Sequence, residues 1–410
     1  MDILIEELDG GIWVAALDKG RLEGLEFDPP AEEVRWGSIY WAKVARIDKA
    51  QDAAFVNLDG DNIGILYNSD VRIQNEDGSY KKGGEKDIGK VLKPGQMITV
   101  QAKSGYLPKG PDEPYAKADG KTPRVSMNIV LPGRYLIYAP MEGKNRISQR
   151  VKEKKLREQL HSMLDSLGEG QGCILRAAGA YTQTDILIRE AKILAEIWSQ
   201  LQPYFEGNTS QLIMLGPDAV QRTLSDQAAT RISTIDLTVM DHYELAEEWC
   251  DIYAPDLVTK INPMAIEDGI MDFGLFEHHD IVDQIESLLV PYVILDQGAT
   301  IVIQETAATT AIDCNRAADS RSNLAINIDC AKEIARQIRL RNMGGAFVLD
   351  FLRMGSKKEK DELVKVLEES CSHDPCTVQI HGWSNLGMME VSRQRRTPPL
   401  SERFESTDGF

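Results

Sequence analysis

Two segments of the last third each carry an aspartate at the end of an apolar run, Thr310-Ala311-Ile312-Asp313-Cys314-Asn315 and Phe347-Val348-Leu349-Asp350. An apolar strand that delivers a carboxylate at its C-terminal end is a common way for an α/β sheet to place a reactive group. Two such carboxylates on adjacent strands would form a hard-oxygen site suited to Mg²⁺ or Mn²⁺. An ion of that kind activates water and stabilises charge on a phosphate under in-line attack. Asn315 lies two residues past Asp313, so on a strand its amide shares the same side and could orient a water or a phosphate. The same aspartates could instead cap their strands or the helices that follow. No Ser-His-Asp order, Walker loop, HExxH run or dinucleotide fingerprint competes with this site.

The elements that must hold these groups follow from the apolar spacing. In the final third the pattern predicts a helix over 278–290, strands over 300–305 and 309–313, and a long helix over 323–341 that stops at Gly344-Gly345. A strand over 346–350, a helix over 357–370 and a strand over 376–381 complete it. Upstream, strands over 2–8 and 12–17 are followed by a break at Pro29-Pro30. Five short β-runs (39–47, 53–58, 63–66, 97–102, 124–128) with polar stretches at 72–90 and 103–123 predict a small barrel of the OB type. Barrels of that type bind single-stranded nucleic acid with aromatic platforms and cations. Here Tyr40, Trp41, Phe55 and Tyr67 are the candidate aromatics, and Lys103, Lys109, Lys117, Lys121 and Arg124 the candidate cations. Aromatics on strands are also ordinary core residues. An amphipathic helix is expected over 146–167, a strand over 173–176, a helix over 183–203, and two strands around a helix within 211–240. The charged segment after Arg396 is expected to fray.

At 410 residues the chain suggests two to four domains. A net charge of −18 argues against a protein that coats nucleic acid non-specifically. It leaves room for a locally basic groove, and residues 144–157 hold seven basic side chains against one acid, Glu153. That run could be a solvated helix face or a phosphate-contacting one. No run reaches the roughly 18 apolar residues of a membrane span, and the acidic start lacks a secretory signal, so a cytoplasmic protein is expected. Six cysteines fit reduced thiols. Cys371, His373 and Cys376 lack a fourth ligand at a recognisable spacing and read as thiols rather than a metal site.

Several segments together resemble the ribonuclease E/G family. The run from Ile301 to Thr306 with Ala311 to Asn315 resembles the strand pair carrying that family's first catalytic aspartate, and the run from Lys332 to Gly345 its helix leading to the second. Asp350-Phe351 stands where the second aspartate does, and the run from Leu386 to Arg395 is similar to the closing motif. Upstream, the run from Ala53 to Val56 resembles the RNA-binding barrel. The runs from Gly133 to Ile137 and from Leu175 to Gly179 resemble the pocket for a 5′-monophosphate.

The resemblance covers nearly all of residues 1–396 and implies a mixed α+β and α/β multidomain fold. Residues 1–33 with 222–286 would form a ribonuclease-H-like subdomain, and 34–128 an inserted OB-type barrel. Residues 129–221 would form a 5′-sensor subdomain, 287–396 a deoxyribonuclease-I-like catalytic domain, and 397–410 a flexible tail. It implies an endoribonuclease cutting single-stranded, A/U-rich RNA, with Asp313 and Asp350 holding Mg²⁺ and Asn315 assisting. Phe55, Ile65 and Lys121 would contact RNA, and Gly133, Ile137, Arg176 and Ala177 would line the 5′-phosphate pocket.

The sequence also departs from the family. It lacks the zinc-binding CPxC motif, so no structural zinc and no zinc-linked oligomer are expected, and no degradosome scaffold tail is expected. The loop between Asn315 and Asn323 is short, and Arg353 stands where the family has an acid. Ala177 replaces a threonine, and Ile65 an aromatic. The alternative is an RNA-binding relative with weakened catalysis.

Overall fold

The computed structural model describes residues 1–8, 10–30, 34–105, 122–165, 172–228, 230–263, 274–306 and 308–405. The described residues fall into two compact units, one holding 1–14, 26–105 and 122–263, the other 15–25 and 274–405.

The chain begins with strands β1 (Asp2–Leu8), β2 (Gly11–Asp18) and β3 (Arg21–Asp28). The third strand was not expected, because the charges of Arg-Leu-Glu-Gly-Leu-Glu hide its alternation. Next come β4 (Ile39–Asp48), β5 (Ala53–Asn57), β6 (Ile63–Tyr67), β7 (Arg72–Gln74), β8 (Tyr80–Lys82), α1 (Ile88–Val91), β9 (Met97–Ala102) and β10 (Arg124–Ser126). Strands β4, β5, β6, β10 and β9 are neighbours in that order, and β9 pairs back to β4, which closes a five-stranded barrel of the expected type. Ala42, Val44, Ala54, Val56, Leu66, Val100 and Val125 fill its interior. The polar stretch expected over 72–90 contains the β7–β8 hairpin and α1.

The following elements are β11 (Leu131–Pro132), β12 (Leu136–Tyr138), β13 (Arg146–Ile147), α2 (Lys154–Asp165), β14 (Cys173–Leu175), α3 (Thr184–Leu201), β15 (Gln211–Met214), α4 (Ala219–Asp226), β16 (Thr234–Leu237), α5 (Met240–Tyr253), α6 (Pro255–Val258) and β17 (Ile261–Pro263). Strands β11, β12, β14 and β13 form a small sheet. The helix expected from residue 146 starts only at 154. Ile147 is buried on β13, and Ser148 N donates to Leu175 O at 2.8 Å, so the backbone there serves the sheet. Strand β15 adds to β4 outside the barrel. Strands β16 and β17 continue in parallel from β1, in the sheet order β17-β16-β1-β2-β3.

The second unit contains α7 (Leu275–His278), α8 (Ile281–Leu289), β18 (Tyr292–Ile294), β19 (Thr300–Glu305), β20 (Thr310–Asn315), α9 (Asn323–Leu340), β21 (Gly345–Asp350), α10 (Lys357–Cys371), β22 (Val378–Trp383), β23 (Met389–Arg393) and α11 (Leu400–Glu405). Its sheet runs β18-β19-β20-β21-β23-β22, with β20 and β21 parallel. One face is apolar. Ile301, Ile303, Ile312, Cys314, Phe347, Leu349, Met389 and Val391 pack with Ile326, Cys330, Ile334 and Ile338 of α9 and Leu363 and Leu367 of α10. Each fully buried aliphatic side chain contributes about 1.5–3 kcal/mol, so this packing fixes which residues of every strand point the other way. The Ser356–Glu359 capping box starts α10. Segment 396–400 is not frayed: Arg396, Thr397 and Leu400 are buried, and Leu400 N donates to Arg341 O.

Candidate active site

Strand β20 alternates strictly, with Thr310, Ile312 and Cys314 buried and Ala311, Asp313 and Asn315 exposed. Asp313 is the in-register parallel partner of Asp350. Both are exposed, on the face opposite the helices. Asn315 Nδ2 donates to Asp313 Oδ2 at 2.8 Å, which confirms that the two share a side. Strand β20 runs two residues further than expected, so Asp313 lies inside it rather than at its end.

Among the described residues, neither carboxylate has a cationic partner, and Asp350 accepts no hydrogen bond. Like charges opposed on neighbouring strands are unfavourable, so the arrangement invites a positive charge. The available donors are carboxylate and amide oxygens, the set that Mg²⁺ takes when it keeps most of its waters. No group of three His, Cys, Asp or Glu able to hold a metal occurs among the described residues, so this is a two-carboxylate site. Beneath it, the hydrogen bond with Cys330 and burial push the Cys314 thiol up, which makes it an inert core group.

The segment behind Asp350 is clamped by α9, a feature that sequence reading missed. Buried Asn327 donates to Leu352 O at 2.8 Å and accepts from Leu352 N at 2.9 Å. Asn323 donates to Arg353 O at 2.7 Å. Arg353 is exposed three residues past Asp350. The short loop after Asn315 is tied to itself: Arg316 donates to Asp319 O at 2.8 Å and Arg321 O at 2.6 Å, and its guanidinium also bonds Asn323. The helix signal at 323 marked α9, but the clamp depends on which residue lies 25 positions away.

In the other unit, a cross-strand row runs over the barrel, and Ile65 within it is buried. Arg46, Phe55, Ile65 and Arg124 are successive cross-strand partners. The Arg46 guanidinium lies 3.7 Å from the Phe55 ring centroid, and Arg124 lies 5.1 Å from that of Tyr67. Arg46 was not among the expected cations. Lys103 and Arg124 were, but both pair with Asp70, at 3.0 and 2.7 Å. Tyr40 belongs to the barrel interior, and Trp41 packs on Phe205 instead. Lys109, Lys117 and Lys121 lie outside the described residues.

The expected 5′ pocket is partly filled by the chain itself. Arg176 Nη1 donates to Gly133 O at 3.1 Å and to the Ser225 hydroxyl, while Nη2 lies 3.6 Å from Asp226. Ala177 is exposed beside it. Ile137 pairs with Ile174 on the same small sheet. Gly133 has a packing reason for being glycine, since a Cβ there would meet Glu190 Oε1 at 2.1 Å. Burial pushes the Glu190 carboxyl up, against the pull of bonds from the Tyr135 and Leu136 amides.

The profile of the Ribonuclease E/G family matches residues 130–396, which include Asp313, Asp350 and Arg176. The chain belongs to the ribonuclease E/G family. Ribonuclease E of Haemophilus influenzae is 30% identical over 399 residues, 95% of this chain and 41% of that protein. Ribonuclease G of Salmonella typhimurium is 28% identical over 407 residues, 96% of this chain and 80% of that protein. Ribonuclease E of Escherichia coli is 30% identical over 401 residues, 95% of this chain and 36% of that protein. The chain thus spans less than half the length of these ribonucleases E. As a family member it places its two aspartates on adjacent strands, and among the described residues no helix is long and apolar enough to cross a membrane.

Proposed function

We propose that the chain is an endoribonuclease that cuts single-stranded, A/U-rich RNA in transcript processing or decay. The observation that carries this reading is the register pairing of Asp313 with Asp350, with Asn315 bonded to Asp313, on an exposed sheet face. Asp313 and Asp350 would hold Mg²⁺, with Mn²⁺ as a substitute. When bound, the ion supplies charge to activate water and to stabilise the phosphate under attack. Asn315 fixes the orientation of Asp313 through its amide N–H and keeps its carbonyl oxygen as an acceptor. Asn327 holds the chain after Asp350 and so limits how far that carboxylate can drift.

The strand order β17-β16-β1-β2-β3 and the six-stranded sheet with α9 and α10 support a finer reading, a ribonuclease-H-like and a deoxyribonuclease-I-like subdomain. In it the barrel and a 5′-sensor subdomain divide the residues between. The Phe55–Arg46 stack would present an aromatic face to bases, with Ile65 beside it and Lys121 as a further cation. Arg176 would meet a 5′-monophosphate through a charge-assisted bond, in competition with Asp226. Cytoplasmic residence and an oligomer not linked by zinc belong to the same reading.

A second reading, an RNA-binding relative with weakened catalysis, draws on one observation: Arg353 puts a positive charge three residues from Asp350, where it could compete with the ion. The deciding experiment offers the purified chain a 5′-monophosphorylated single-stranded RNA with Mg²⁺. Cleavage within the RNA, abolished by EDTA, is expected. Binding without any cleavage would select the second reading, and no binding at all would overturn both.

A further inference from the structure

The run from Lys144 to Arg157 is the densest block of positive charge in a chain of net charge −18, and neither the two-aspartate site nor the barrel uses it. It is built on a fixed frame. Arg146–Ile147 is strand β13, held parallel to β14, the strand that ends at Leu175 just before Arg176. Asn145 donates to Leu164 O and accepts from Gly172 N and Cys173 N, at 2.9–3.0 Å. Arg157 donates to Ser148 O at 2.8 Å and Val151 O at 2.9 Å, which pins the turn that leads into α2. Ile147 and Val151 are buried on the inner side.

Two of the seven cations are thereby spent. Arg157 serves the turn, and Arg146 pairs with Glu142. Lys144, Lys152, Lys154 and Lys155 are exposed, and among the described residues no carboxylate pairs with any of them. Unneutralised lysines crowded on one frame repel one another, a cost that a polyanion lying across them would reverse.

We propose that this lysine strip is a second RNA-docking surface, which takes the phosphate backbone of a single strand independently of sequence. It rests on the reading of the chain as an RNA-acting protein. It is distinct from the Arg176 pocket, because Lys152 lies on the turn before α2 and Lys154 and Lys155 begin that helix, rather than standing at the end of β14. The occupant is a flexible polyphosphate. Four lysines without aromatic side chains among them offer charge and no stacking, which suits backbone contact and not base readout.

The test measures affinity for a 5′-hydroxyl single-stranded RNA against salt, in the Asp313→Asn background so that nothing is cleaved. Substituting Lys152, Lys154 and Lys155 together by Gln should flatten the slope of log affinity on log salt by about 2, since each phosphate contact contributes about 0.7 for single strands. A matched control removes the same charge at Lys90, Lys192 and Lys365, and its slope should stay near that of the starting protein. Equal slopes for the strip variant and the starting protein would overturn the proposal while leaving the endoribonuclease reading intact. Failure of the starting protein to bind RNA would overturn both. If the strip variant instead loses binding only to phosphatidylserine vesicles, the surface belongs to a lipid and the proposal is wrong.

Discussion

At the scale of single residues, exposed carboxylates on one sheet contrast with an arginine held by the chain itself. Asp313 and Asp350 are exposed and, among the described residues, lack cationic partners, so replacing either with Asn should remove cleavage, below about a thousandth of the normal rate, while RNA affinity stays within a few-fold. Single-turnover rates and filter binding on the same preparations check this; near-normal turnover in either variant would unseat the assignment. Arg176 is the opposite case, since its side chain already has chain partners. A 5′-phosphate arriving there would face the Asp226 carboxylate, so Asp226→Asn should raise the preference for 5′-monophosphate over 5′-hydroxyl RNA by roughly tenfold, about 1.4 kcal/mol. Arg176→Ala should abolish whatever preference exists. If neither substitution moves the ratio of rates on the two RNA ends, the pocket does not sense the terminus. The two aspartates were legible in the sequence because each closes an apolar run. The capture of Arg176 was not, because Ser225 and Asp226 lie 49 and 50 positions away and only the packing of α4 brings them in.

At the scale of elements, α9 does more than cover the sheet. Its buried Asn327 satisfies both the N–H and the C=O of Leu352, so Asn327→Leu strands two backbone groups and should cost about 1–3 kcal/mol of stability. The turnover rate should fall several-fold with KM nearly unchanged, as befits a positioning residue; equal losses at Asn323→Ala and Asn327→Leu in affinity alone would argue otherwise. In the barrel, burial pushes the Asp70 carboxyl up, but the bonds and charges of Arg124 and Lys103 outweigh it and hold the group below its ordinary value of 3.8. A folded value depressed in this way adds stability above the unfolded value and loses it as pH falls through the folded one. Asp70→Asn should therefore lower Tm at neutral pH, and the gap should narrow as pH falls below 3.8. A gap that persists in acid would mean that Asp70 acts through packing alone. The barrel's five strands were readable as alternating apolar runs. Strand β15 was expected within 211–240, but its pairing with β4 was not, since Gln211–Met214 carries no alternation and is half exposed.

At the scale of the whole molecule, charge and topology tell different stories. A strongly acidic chain can still group cations locally, as with Arg46 over Phe55 and the lysines at 152, 154 and 155 at the start of α2. Composition alone could only say that a locally basic surface was allowed; the frame of the run from Lys144 to Arg157 depends on the pairing of β13 with β14. The start of α2 was misjudged for the same reason, because a helical spacing of apolar residues does not reveal that Ile147 is claimed by a sheet. The aspartate pair stands on an exposed strand face among the described residues. A polymer can therefore reach it side-on, with no free end to thread. A covalently closed RNA circle carrying one A/U-rich single-stranded stretch should be linearised at a rate close to that of the same stretch in an open strand with a 5′-hydroxyl. Gel separation of circles from linear product would show it, and circles that survive while their linear counterparts are cut would mean that chain ends, and not the strand itself, are what this face admits.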